Sequence, residues 1–147
     1  MKDFAKWINM VEAEVLRESA KQVVQELKVA GPYYSGEFER NWVVVPGAKN
    51  IPGTVTEGTR PKVARNRTIT QTPIPQPQNN SLTIGNRMDY KLVAQDLVPG
   101  RLKEGGGAGS ANQDWFTTYA SSQIQNALKK GVSAATQDSA IRNFKGS

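Results

Sequence analysis

One long apolar stripe at the N-terminus constrains this chain more than any other feature. Phe4, Ile8, Val11, Val15, Val23 and Leu27 recur at steps of three and four, with Ser19 filling the single gap. That is the period of one helix face. Trp7, Leu16 and Val24 widen the stripe, while Lys2, Lys6, Glu14, Arg17, Glu18, Lys21 and Glu26 lie mostly off it. The spacing predicts a helix over 3–29, with Asp3 favouring the positive end of its dipole and Gly31-Pro32 stopping it. At ~1.5 Å per residue such a helix is about 40 Å long. A small sheet cannot cover that length, so part of the stripe is expected to face a neighbouring subunit.

The rest of the chain offers only a small sheet. After a turn at Tyr33 to Gly36, Phe38, Arg40, Trp42 and Val44 alternate with Glu39, Asn41, Val43 and Val45, which reads as a strand ended by Pro46-Gly47. Thr54-Val55-Thr56 is a candidate short strand. Ser81 to Gly85 and Tyr90 to Asp96 read as two antiparallel strands joined by a turn at Asn86 to Asp89. Between the two β units, 48–80 reads as an extended arm. Its Pro61 to Arg67 part is basic, and Thr68 to Asn80 is rich in Pro, Gln, Thr and Asn, with Pro73, Pro75 and Pro77 at every second position. Such a composition favours polyproline II and buries no core.

Pro99-Gly100 breaks the second β unit, and the glycines of Glu104 to Ser110 make a tether. Asn112 or Asp114 then caps a helix starting near Trp115, with Phe116, Tyr119, Ile124, Ala127 and Leu128 on its apolar face. Lys129-Lys130-Gly131 reads as its C-terminus, leaving 132–147 as a frayed tail. The expected fold class is α+β: a small antiparallel sheet packed against a long N-terminal helix and a C-terminal helix. It forms one domain over 1–131, with the arm inserted.

Composition narrows the function. The 147 residues include no Cys and no His, which removes disulfides, thiolate metal sites and every His-dependent acid, base or nucleophile pair. Carboxylate chemistry is what remains. Glu37 and Glu39 flank Phe38 and would share one strand face, but Arg40 and Arg17 are at hand as partners, and Asp89, Asp96 and Glu104 are scattered. Gly105 to Gly109 invites a phosphate-loop reading, yet Ser110-Ala111-Asn112 stands where a Lys-Ser/Thr pair is required. No enzyme, cofactor or metal is therefore expected. No apolar run is long enough for a transmembrane helix and no secretory leader is evident, so the default compartment is the cytoplasm, with no membrane partner.

A net charge of +6 suits an acidic partner and equally suits a soluble protein away from its isoelectric point. The cations concentrate in the arm: Lys49, Arg60, Lys62, Arg65 and Arg67 against Glu57. The arm lacks aromatics for base stacking and a helix for a groove. Docking of Arg60, Lys62, Arg65, Arg67, Pro73, Pro75 and Pro77 on an adjacent protein is favoured over DNA contact, and a DNA-facing role stays open. Trp7, Trp42 and Trp115 each sit on an apolar stripe, where core packing is the first expectation.

Ser35-Gly36-Glu37-Phe38-Glu39-Arg40-Asn41 resembles the Thr/Ser-Gly-x-Leu/Phe-x-x-Ser/Asn entry to the first strand in the tail-completion and neck proteins of tailed bacteriophages. Ile84-Gly85-Asn86 and Tyr90 to Asp96 are similar to that family's Ile-Gly-Asn … Tyr-Ala hairpin, and Asp114-Trp115-Phe116 to its aromatic-led last helix. Lys91 stands where a small residue usually follows Tyr, Asp96 replaces the acidic-Gly ending, and the arm is unusually long. The resemblance implies a structural virion protein of the head–tail joint, assembled in the host cytoplasm. It implies a homo-oligomeric ring around the DNA channel, sixfold as first choice and twelvefold as second. In such a ring Phe4, Trp7, Val11, Val15, Trp115 and Tyr119 are the expected lateral contacts, and the arm reaches a connector, terminator or tail-tube protein. A tail-terminator ring is the nearest alternative, and a stand-alone nucleic-acid-binding module the second.

Overall fold

The computed structural model describes residues 2–31, 35–56, 66–89, 119–120 and 123–137. In chain order the elements are α1 (Lys2–Ala30), α2 (Glu37–Arg40), β1 (Trp42–Pro46), β2 (Leu82–Asn86) and α3 (Ile124–Thr136). Among the described residues the architecture is α+β, a long N-terminal helix with a C-terminal helix and a two-stranded antiparallel sheet. The expected strand at Tyr90 to Asp96, the glycine tether and Trp115 lie outside the described residues.

The N-terminal stripe forms the helix its period requires, 29 residues long. Burial along it is uneven. Ser19, Ala20, Val23, Val24, Leu27 and Lys28 are buried, whereas no position from 4 to 18 is. Only the C-terminal third of α1 is therefore sealed into the core.

α3 packs against that sealed third of α1. Ala127, Gly131 and Ala135 are its buried positions, one small residue per turn on one face. They let the backbones come close: a Cβ at Gly131 would stand 2.5 Å from the Ser19 Cα and 2.6 Å from the Ser19 amide nitrogen. Ser19, the gap in the apolar stripe, is thus the crossing point. Two expectations are corrected here. Lys129-Lys130-Gly131 does not end the helix, which continues to Thr136, because Gly131 serves a close helix contact and not a terminus. Leu128, placed on the apolar face, points outward at 44% exposure.

The expected strand over Phe38 to Val45 is also corrected. Its first residues form the helical turn α2, and β1 begins only at Trp42. Phe38 and Trp42 recur at both an even spacing and a helical one. The turn resolves the ambiguity by packing the two rings edge-on, with centroids 5.6 Å apart. Gly36 supplies the left-handed backbone at the entry, φ 94°. The Ser35 hydroxyl accepts from the Glu37 amide at 3.3 Å, and Asn41 Nδ2 donates back to the Glu37 carbonyl at 2.7 Å. The Ser-Gly-x-Phe-x-x-Asn motif is thus a capped helical turn leading into β1.

β1 and β2 pair antiparallel, Trp42 opposite Asn86 and Pro46 opposite Leu82. Their inner faces carry Trp42, Val44, Leu82 and Ile84 into the core shared with Val23, Val24 and Leu27 of α1. Met88 and Asn86 are wholly enclosed. Asn86 donates to the Phe38 carbonyl at 2.7 Å and accepts from the Met88 amide at 2.9 Å, tying β2 to α2. Val55 bridges Met88, so the expected short strand at 54–56 is a single bridge.

Candidate subunit interface and arm

The described part of the arm, 66–80, is extended and lies against its own chain. Thr70 stands at Glu39, Thr72 at Trp42 and Gln78 at Gly47. The segment therefore travels beside β1 in the same direction. It reverses through Asn79 and Asn80, both at positive φ, and returns as β2, in keeping with the preference of Asn for left-handed turn positions.

Three contacts pin this segment to α1. Arg67 Nη2 donates to the Lys28 and Gly31 carbonyls at 2.6 and 2.7 Å, a cation on the carbonyls that a helix C-terminus leaves unsatisfied. Arg17 Nη2 donates to the Ile74 carbonyl at 3.4 Å. Between these lies an enclosed ion pair: Lys28 Nζ is 3.3 Å from Glu39 Oε1, and both side chains are 1% exposed.

Thr70 completes the ion pair. Lys28 Nζ donates to the Thr70 carbonyl at 2.7 Å and to its hydroxyl at 3.0 Å. The Thr70 amide and hydroxyl donate to Glu39 Oε1 at 2.7 and 2.9 Å. Lys28 Nζ thus donates two hydrogen bonds to Thr70 and has the Glu39 carboxylate as its ion-pair partner. Enclosing two charges is costly, and the hydrogen bonds that both make to Thr70 offset part of that cost. The pair's effect is geometric: it locks α1, α2 and the arm in one arrangement. Sequence reasoning missed it. Glu39 was expected on a solvated strand face beside Glu37, but the two carboxylates diverge: Glu39 enters the core and Glu37 pairs with Arg40 at the surface.

The expected interface residues fall into two groups. Phe4 is 64% exposed and stacks on half-buried Trp7, rings 6.1 Å apart and 23° from parallel. Val11 and Val15 continue that face, half-buried. Tyr119, by contrast, is in the core at 2% exposure, and its hydroxyl donates to Glu26 Oε2 at 2.9 Å. It is removed from the candidate interface because the chain's own fold encloses it. Burial, the Glu26 hydrogen bond and the Glu26 charge hold its phenol well above the ordinary 10.0. Of the arm residues, Arg67 is spent on α1, Pro73 is exposed, and Pro75 and Pro77 are half-buried. Arg60, Lys62, Arg65 and Trp115 lie outside the described residues.

Among the described residues no group of three or more acidic, His or Cys side chains is placed to hold a metal ion. No described helix is long and apolar enough to cross a membrane. No family model matches the chain, and comparison with curated proteins and with solved structures returns no match.

Proposed function

We propose that this chain is a structural subunit of the neck of a tailed bacteriophage, forming a ring that joins head to tail around the DNA channel. The observation that carries the reading is the uneven burial of α1. A helix of 29 residues is sealed only from Ser19 onward, and in its first half Phe4 stands exposed on the ring of Trp7 while Trp7, Val11 and Val15 are only half-buried. A heterologous interface repeated around a ring covers such a face on every copy. The capped turn at Ser35 to Asn41 and the buried Asn86 give structural roles to the residues that resemble the neck family. The net charge of +6 suits a position beside DNA or against acidic neighbours.

The test is to remove the protein from particle assembly and image the products. A neck subunit predicts filled heads and finished tails of normal length that stay unjoined. Over-long tails would instead identify a terminator ring, and joined, infectious particles would refute a virion role.

A further inference from the structure

A cleft of about 560 Å³ opens beside β1 and the proline segment, lined by Arg40, Trp42, the three valines of β1, Pro52, Gly53, Gln71 to Pro73 and Arg87. The hydrogen-bond alternation of an antiparallel pair defines what β1 offers to it. The Arg87 amide donates to the Asn41 carbonyl and the Gly47 amide to the Ser81 carbonyl. Odd-numbered residues of β1 therefore bond β2, and Trp42, Val44 and Pro46 turn their backbone groups to the opposite edge. The Trp42 carbonyl is taken there by the Thr72 hydroxyl at 3.3 Å. Pro46 has no N–H to give. Val44 keeps both an N–H and a C=O that nothing among the described residues takes up.

The proline segment runs along this edge without pairing to it, and Pro73, in the cleft wall, has no N–H with which to bond Val44. The cleft is also one-signed. It has two guanidinium groups and no carboxylate among its lining residues. Arg40 is engaged by Glu37, whereas Arg87, lying over Gly53, has no ion-pair or hydrogen-bond partner for its side chain among the described residues.

The geometry points to a binding site for an extended acidic peptide segment of another protein, which pairs with the Val44 N–H and C=O and places a carboxylate on Arg87. A second copy's arm is the wrong occupant, because its Pro61 to Arg67 stretch is basic and would meet like charge. Backbone pairing gives such a site affinity, and the arginine gives it selectivity. This inference rests on the cleft alone and stands or falls separately from the neck reading.

Titration of the isotopically labelled full chain with a blocked pentapeptide of alternating Val and Glu tests it by amide NMR. Binding should move the Val44 amide resonance downfield and slow its exchange. Arg87→Ala should weaken binding roughly tenfold or more, the scale of one charge-assisted hydrogen bond. Unfolding is separated from loss of binding by the unperturbed core amides of Val24 and Ala127. The inference is overturned if Val44 does not respond or if the Gln analogue of the peptide binds equally well. It is also overturned if a single-stranded oligonucleotide displaces the peptide from the same residues at lower concentration.

Discussion

Replacing Gly131 with Ala gives the sharpest test of the fold, because two effects of known size oppose each other there. In an exposed helix interior the change stabilises by about 1 kcal/mol through helix propensity. At this crossing the new methyl carbon meets the Ser19 Cα at 2.5 Å and its amide nitrogen at 2.6 Å, about an ångström inside ordinary carbon contact. Both are backbone atoms, so no side-chain rotation relieves the clash, and the helices must move apart. Overpacking of this kind costs about 1–3 kcal/mol. The expected net result is a loss of about 1 kcal/mol, and up to about 2 kcal/mol, read as a lower urea midpoint with unchanged slope in far-ultraviolet circular dichroism. Ser133→Ala, on the exposed face of the same helix, supplies the control and should stabilise by a few tenths of a kcal/mol. If Gly131→Ala stabilises as the control does, α1 and α3 do not cross at Ser19.

Further outcomes are expected from the core and from the N-terminal half of α1. Lys28→Met leaves the Glu39 carboxylate enclosed without its cation and should cost about 3–5 kcal/mol, while Lys28→Met with Glu39→Leu should recover much of that, measured as a double-mutant cycle. Because the Tyr119 phenol is held above its unfolded value of 10.0, its contribution is fully present below that pH and is lost as pH rises toward the folded value. Urea titrations across the alkaline range should therefore show a fall in stability that Tyr119→Phe reduces. Phe4→Ser, at an exposed site, should change the unfolding free energy of the isolated chain by no more than about 0.5 kcal/mol, and its pair with Trp7→Ser at the half-buried ring by about 1–2 kcal/mol. The same pair should abolish ring assembly in sedimentation velocity or native mass spectrometry.

What the sequence discloses depends on whether a signal is periodic or is created by folding. α1 was legible because seven positions from Phe4 to Leu27 repeat one helical step. α2 was not, since Phe38 and Trp42 satisfy both periods and only their edge-on packing decides between them. Gly131 carries the sequence of a helix end, and its role appears only when Ser19, distant in the chain, arrives beside it. The Lys28–Glu39–Thr70 lock was illegible for the same reason: each residue alone reads as solvated, and their enclosure is a product of three segments meeting. The described part of the arm, 66–80, is extended, and it lies on its own α1, where Arg17, Lys28 and Arg67 reach its carbonyls or α1's own.

The most direct measurement is an electron cryomicroscopy map of the neck of intact particles, into which this chain is fitted. The account predicts a closed ring of copies in which Phe4, Trp7, Val11 and Val15 of each subunit pack against the next. Density showing this chain outside any ring, or in a ring whose subunits leave that half of α1 facing solvent, would contradict it.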